Sequence, residues 1–234
     1  MDKIKVIGFD ADDTLWVNEP YYREAEERFI ELMSEYGTGE DIEQLLFETE
    51  MANLKQYGYG IKAFMLSMVE CAIRISGGKV RAGAVSKIIE LGKEMLQRPI
   101  QLLDDVSEVL KSCFPHYRLI VATKGDLLDQ EAKMKRSGIG SYFHHIEVMS
   151  DKKKEHYSTL LNHLDIQPEE FLMIGNSIKS DILPPLELGC VAIHVPYHTT
   201  WAHEEVDSEP EQDGYFRVSH LKEVLELIPL TVSR

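Results

Sequence analysis

The chain is short of cysteine and of cations, and it contains no long apolar run. Its three cysteines, Cys71, Cys113 and Cys190, lie far apart, form no CxxC pair and sit among apolar neighbours ("MVECAI", "KSCF", "LGCVAI"). Such residues read as small buried hydrophobes, not as a disulfide framework, a redox pair or a metal site, and an odd count fits a reducing compartment. No apolar stretch approaches membrane-spanning length. The amino terminus lacks a basic region followed by an apolar stretch and a cleavage site. A cytoplasmic protein is therefore expected. Lys and Arg number 25 against 40 Asp and Glu, so the net charge is 25 − 40 = −15. That surface repels phosphate backbones and anionic lipid, which argues against nucleic acid and membrane as partners. It also repels a small anionic substrate, so any such substrate needs a local positive site. Internal repeats and low-complexity tracts are absent too.

The 234 residues are enough for a full core, as one large domain or one domain plus an insert. Hydrophobic residues at 44% and charged residues at 28% are the balance of an ordinary globular chain. The run "IKVIGF" predicts a buried strand. Four helices follow without a strand signal from Glu19 to Arg98. The first, "EPYYREAEERFIELMSEYG", has Pro20 in its first turn and Gly37 as a stop. The others are "EDIEQLLFETEMANLKQYG", "IKAFMLSMVECAIRISGG" and "AVSKIIELGKEMLQR", the last ended by Pro99. Beyond Pro99, helices alternate with apolar strands: "DDVSEVLKSC", "YRLIVAT", "LLDQEAKMKRSG", "FHHIEVMS", "KEHYSTLLNHL", "EFLMIGN", "DILPPLELG" and "VAIHVP". This alternation is the mark of a parallel sheet flanked by helices. The expected organisation is an α/β core of residues 1–16 and 99–234, with an α-helical domain of residues 17–98 inserted after the first strand. The acidic segment "HEEVDSEPEQDG" reads as a solvated loop, and "YFRVSHLKEVLELI" as a closing strand and helix.

In an open parallel sheet, ligands bind beyond the carboxyl ends of the strands. Four segments carry reactive residues there. "FDADDTL" brings Asp10, Asp12 and Asp13 to one strand end. Carboxylates that close repel, so something must compensate them. One carboxylate beside a cation can act as a nucleophile, and a second two residues on can serve as acid and then base. An Asx turn at the strand end is the alternative. "IVATKGD" offers the Thr123 hydroxyl, the Lys124 charge and a helix amino terminus, a natural anion site. A plain strand-end threonine with Asp126 as helix cap is the alternative. "MSDKKKEHY" places Lys152, Lys153 and Lys154 at a helix start, where cations oppose the helix dipole, so at least one is a candidate for work elsewhere. "LMIGNSIKSDI" places Asn176 and Asp181 around a turn; hard oxygens near the first motif would suit Mg²⁺, although Asp181 could equally be a helix cap. Each segment alone has an ordinary structural explanation. Four in this order on successive strands are hard to explain as caps.

Together "DADDT", Thr123, Lys152 and "GNSIKSD" make the chain resemble the haloacid dehalogenase-like hydrolases, from Lys3 to Pro196, and the helical insert resembles that family's helical cap. The resemblance implies a Rossmann-like core with a helical cap and a Mg²⁺-dependent phosphatase acting on a small phosphorylated metabolite through an aspartyl-phosphate. Asp10 would be the nucleophile and Asp12 the acid/base. Thr123, Lys124 and Lys152 would bind the transferred group. Asp10, the Asp12 backbone carbonyl and Asp181 would hold Mg²⁺, and Asn176 would join them. Asn176 stands where the family often has Asp; it brings no charge, which shifts weight onto Asp181. Lys152 is the expected motif lysine, with Lys153 next, and Asp13 is expected to orient the loop or the cap. Tyr57, Tyr59 and Lys62, around the glycines of "YGYGIKAF", would select substrate if that cap loop faces the site; the alternative is an ordinary helix–helix turn. His198, Thr199 and Trp201 are expected near the pocket rim, with Trp201 pinning its loop by packing. A dehalogenase, a phosphomutase or a phosphate-binding regulator without turnover are the rival readings. Asp12 argues against the dehalogenase. The intact Asp10, Asp12 and Thr123 argue against the regulator.

Overall fold

The computed structural model describes residues 1–204, 206 and 208–230. Two residues of the predicted acidic loop, Glu205 and Asp207, lie outside the described residues. The chain packs as two compact units: Met1–Glu19, Ile100–Lys124 and the chain from Gln130 onward form one, and Pro20–Pro99 with Gly125–Asp129 form the other. Relative to the sequence expectation, the helical unit starts at residue 20 instead of 17, ends one residue later, and gains the segment after the second strand of the sheet. Within that unit Lys62 donates to Asp126 of the added segment at 2.8 Å.

The first unit is built on a parallel six-stranded sheet in the order β3-β2-β1-β4-β5-β6. The strands are β1 (Val6–Phe9), β2 (Arg118–Lys124), β3 (Ile146–Met149), β4 (Phe171–Gly175), β5 (Val191–His194) and β6 (Tyr215–Arg217). All five pairings are parallel, with Phe9 level with Val121 on one side and Ile174 on the other. A strand buried on both faces needs apolar side chains at every position, and the central strands meet that demand. Ile7, Phe9, Leu119, Val121, Leu172 and Ile174 pack on one face. Val6, Ile120, Ala122, Phe171 and Met173 pack on the other with Tyr157 and Leu160. Gly8 interrupts β1 because there is no room: a Cβ there would sit 2.6 Å from the Phe171 ring.

Helices α1 (Glu19–Met33), α2 (Gly39–Tyr57), α3 (Ile61–Ile75) and α4 (Ala82–Gln97) follow β1. Helix α1 ends at Met33, four residues before the predicted Gly37 stop. Thr38 starts α2, its hydroxyl accepting from the Asp41 amide while the Asp41 carboxylate accepts from the Thr38 amide, a reciprocal cap. The helical unit has its own core, with Ala25, Phe29 and Met33 at four-residue spacing against Ile42, Leu46, Phe64, Met68, Ile88 and Leu91. The hydroxyl of Tyr57 donates to Glu70 at 2.7 Å, so this tyrosine is tied within its own unit.

Helices α5 (Val106–Cys113), α6 (Leu127–Ser137) and α7 (Lys154–Leu164) alternate with the strands of the sheet. The predicted helix "DILPPLELG" is the clearest departure. A π-helical turn (Ile178–Ile182) leads into a short α8 (Leu183–Leu186), because Pro184 and Pro185 lack the amides that a regular first turn would extend from. The chain closes with a short helix α9 (Val224–Leu227). Cys71, Cys113 and Cys190 are free and buried, and burial raises each thiol, to about 11, 12 and 12. Among the described residues no helix is long and apolar enough to cross a membrane.

Candidate active site

The site lies at the carboxyl end of β1, within the first unit. The amide of Asp10 donates to Ile174 O at 2.8 Å, which carries the ladder one residue past β1. The chain then turns sharply, with Ala11 O accepting from the amides of Thr14, Leu15 and Trp16. Asp13 takes the left-handed conformation at φ 61°, which a short polar side chain tolerates. Its carboxylate accepts from the amides of Asn18 and Glu19 at 2.8 and 2.9 Å and so opens α1. Burial raises its carboxyl to about 8, although the two amides pull the other way.

Asp10 is 6% exposed. One of its oxygens, Oδ1, accepts a short bond from Lys152 Nζ, and the same ammonium donates to Asp181 Oδ1 at 2.6 Å. Two carboxylates thus share one buried lysine. Burial, and after it the charge of Asp181, push Asp10 up to about 7 against the opposing pull of Lys152. Burial alone would lower Lys152; the two carboxylates outweigh it and hold the ammonium charged. Lys153 is the exposed neighbour and pairs with Asp151 at 2.9 Å. Asp181 also accepts from the Ser177 amide at 3.0 Å. It lies directly over Gly175, where a Cβ would sit 2.3 Å from its Oδ2.

The other oxygen of Asp10 faces a different group. Its Oδ2 accepts from the Thr14 hydroxyl at 3.3 Å. One terminal atom of the Asn176 amide lies 3.2 Å from this Oδ2, 3.3 Å from the Asp12 carbonyl oxygen and 3.2 Å from the Thr14 hydroxyl. With nitrogen there, the amide faces three acceptors. With oxygen there, three hard oxygens converge, the donor set that Mg²⁺ takes. Asp10, the Asp12 carbonyl and Asn176 therefore fit a divalent cation. Among the described residues no three His, Cys, Asp or Glu side chains make such a group, so the set depends on a carbonyl and an amide. Asn176, given little weight by sequence, stands next to Asp10, whereas Asp181 is engaged by Lys152.

Asp12 has surroundings of its own. Its Oδ1 accepts from the Trp16 indole at 2.7 Å and from Lys133 Nζ at 2.9 Å, and its Oδ2 accepts from Gln130 at 2.8 Å. Sequence reasoning missed Lys133 and Gln130. The only signal was their spacing on α6, in phase with the buried Met134. Thr123 is 1% exposed, and its hydroxyl accepts from Gln130 and donates to Lys124 O, both at 3.2 Å.

Lys124, expected at the substrate, donates to Glu204 at 2.6 Å and to the Ser180 hydroxyl at 2.9 Å. Glu204 also accepts from the hydroxyls of Ser177 and Ser180. Burial would raise this carboxyl, but Lys124 and the two serines hold it at about 2. Glu204 belongs to the acidic segment read as a solvated loop, yet it ties itself to the Asn176–Asp181 loop, whose Lys179 in turn donates to His203 O at 2.6 Å. Trp201 packs on the His203 ring at 4.9 Å between centroids.

A family profile described as haloacid dehalogenase-like hydrolase matches residues 4–189. The human N-acylneuraminate-9-phosphatase is 25% identical over 203 residues, covering 82% of this chain and 82% of its own. The glyceraldehyde 3-phosphate phosphatase of Pyrococcus furiosus is 24% identical over 238 residues, covering 97% of this chain and 94% of its own. The crystal structure of a haloacid dehalogenase-like family hydrolase from Xanthomonas campestris superposes with a TM-score of 0.85 at 36% identity, covering 94% of this chain and 88% of that one.

Proposed function

The chain belongs to the haloacid dehalogenase-like hydrolases and is a phosphatase of that family, and we propose that it is a Mg²⁺-dependent one that hydrolyses a small phosphate monoester through an aspartyl-phosphate on Asp10. The observation that carries this reading is the pair of carboxylates two residues apart on one strand end, each paired with a different buried lysine. A dehalogenase attacking carbon has no need of the second carboxylate.

Asp10 attacks phosphorus, so an Oδ–P bond forms as the bond from phosphorus to the leaving oxygen breaks. Asp12 gives that oxygen a proton and leaves as carboxylate. It then takes a proton from a water, whose oxygen attacks the same phosphorus, releasing phosphate and restoring Asp10. Lys152 and Thr123 hold the transferred group. Asp181 fixes Lys152, and Gly175 leaves Asp181 its place. Asp10, the Asp12 carbonyl and Asn176, with Asp181, would hold Mg²⁺, which supplies positive charge for a phosphoryl group entering a site rich in carboxylates. The two curated relatives act on a phosphorylated sugar acid and a phosphorylated three-carbon aldehyde by their names, which supports a small phosphorylated metabolite as substrate. A cytoplasmic location fits such a substrate and the three free thiols.

Purified protein incubated with a panel of phosphorylated metabolites, with Mg²⁺ and with EDTA, tests the proposal. Release of inorganic phosphate from at least one of them, stopped by EDTA and restored by Mg²⁺, is expected. Full turnover in EDTA would remove the metal from the reading, and no release from any of them would remove the phosphatase itself.

A further inference from the structure

We propose that Lys133, together with Gln130, is a positioning residue that holds the Asp12 carboxylate in place for proton transfer. The inference rests on the phosphatase reading for its catalytic consequence, but its structural half stands apart from it.

A buried lysine is costly unless paired. Lys133 is 7% exposed and reaches Asp12 Oδ1 at 2.9 Å and Asn18 Oδ1 at 2.9 Å. Gln130, one helical turn earlier on α6, is 3% exposed. Its single NH₂ faces Asp12 Oδ2 at 2.8 Å, Thr123 Oγ1 at 3.2 Å and Lys124 O at 2.7 Å. Its own carbonyl oxygen is buried and, among the described residues, accepts no hydrogen bond. A buried acceptor left without a donor is costly. The amide is turned so that its donors meet the carboxylate and the threonine at the cost of its acceptor, which is hard to explain as helix packing alone. The Trp16 indole is the third donor, at 2.7 Å on Oδ1. A carboxylate gripped from two elements cannot rotate freely. Its one remaining lone pair, on Oδ2, keeps one direction, as proton delivery to a leaving oxygen requires.

The test combines kinetics with a spectroscopic probe. Lys133→Met should slow single-turnover phosphoryl transfer from an alkyl phosphate by about 10–100-fold, with KM changed less than about threefold. Transfer from p-nitrophenyl phosphate, whose leaving group needs little protonation, should fall much less. In an Asp12→Asn background the same substitution should cost less than about twofold more, because its effect acts through Asp12. Lys133→Arg, which keeps charge and donors, should recover much of the rate. Gln130→Leu provides a second variant should Lys133→Met fail to fold. The Trp16 indole N–H resonance, assigned against Trp201→Phe, should move in Asp12→Asn and in Lys133→Met alike. Losses that multiply in the double variant, equal losses for both leaving groups, or an indole resonance unmoved by Lys133→Met would each overturn the proposal. If the wild-type protein hydrolyses no phosphate ester, the phosphatase reading fails instead, and the indole resonance alone decides whether Lys133 positions Asp12.

Discussion

Asp10 and Asp12 leave the same strand two residues apart, and each meets a buried lysine, yet their surroundings differ in charge. Around Asp10, one ammonium serves two carboxylates, Asp10 and Asp181, and the residues are almost fully buried. Around Asp12, one ammonium serves one carboxylate, whose side chain is 25% exposed and has the Trp16 and Gln130 donors as well. The first arrangement is one positive charge short, which suits a place where a cation binds. The second is balanced and holds its carboxylate by geometry. The contrast matches the different work that the proposed reaction gives two chemically identical side chains, Asp10 as nucleophile and Asp12 as proton carrier.

The most severe way to break this contrast is Asp10→Asn. An amide cannot attack phosphorus, so turnover should fall by more than about 10⁴-fold, beyond the range of a lost general acid. Residual phosphate release from the best substrate measures it. If Asp12→Asn proved equally severe, the two carboxylates would not divide the work as proposed. Asp12→Asn should instead cost about 10²–10⁴-fold for poor leaving groups and clearly less for p-nitrophenyl phosphate in the single-turnover transfer step.

A smaller effect sharpens the charge deficit around Asp10. Asn176→Ala removes the amide beside Asp10 Oδ2, whose oxygen would join the metal, and should raise the Mg²⁺ concentration for half-maximal activity by about 10–100-fold. Asp181→Ala should act chiefly through Lys152 and lower kcat more than it shifts the Mg²⁺ midpoint. Metal titrations of both variants separate the two, and a larger midpoint shift for Asp181→Ala would restore the weight that sequence reasoning gave it.

The smallest effect concerns a third lysine–carboxylate pair, Lys124–Glu204, which is balanced like Asp12 but is not proposed to react. Glu204 is held at about 2, below its ordinary 4.5, so its contribution to stability is present above pH 4.5 and is lost as the pH falls towards 2. The shift corresponds to roughly 3 kcal/mol as an upper figure. Glutamine keeps some of the hydrogen bonds, so Glu204→Gln should cost about 1–2 kcal/mol at pH 7. Urea unfolding of both proteins should show the gap closing between pH 4.5 and 2; a gap that persists at low pH would mean the ion pair is not its source.

The sheet was legible in the sequence because strands buried on both faces must be apolar at nearly every position, and "VIGF", "LIVA" and "FLMI" are. The insert was legible because its helices repeat apolar residues every three or four positions, as at Ala25, Phe29 and Met33. Boundaries were less so. The first helix stops before Gly37, and the π-helical turn before Pro184 departs from the regular helix that periodicity predicts. In the site, Asp10 and Lys152 could be singled out, but not which oxygen of Asp10 faces which partner. Lys133 and Gln130 were invisible because a polar residue on a helix is usually solvated, and only the tertiary fold turns these two inward. Glu204 was missed for a similar reason: it lies in an acidic loop that reads as solvent-facing until Lys124 and two serines meet it.

The central position of β1 also governs how the chain is made. Val6 pairs with Arg118 on one side and Phe171 on the other, partners 118 − 6 = 112 and 171 − 6 = 165 residues away. At about 5–20 residues per second of synthesis, the strand that leads into Asp10 waits several seconds to tens of seconds before either neighbour exists. A nascent chain that stops before Arg118 already contains Asp10, Asp12 and the whole run of helices α1 to α4, but has no strand for β1 to lie against. The earliest strand to be made thus waits longest for its first partner, and the loop that carries Asp10 and Asp12 is flanked on both sides only when more than two thirds of the chain has followed it.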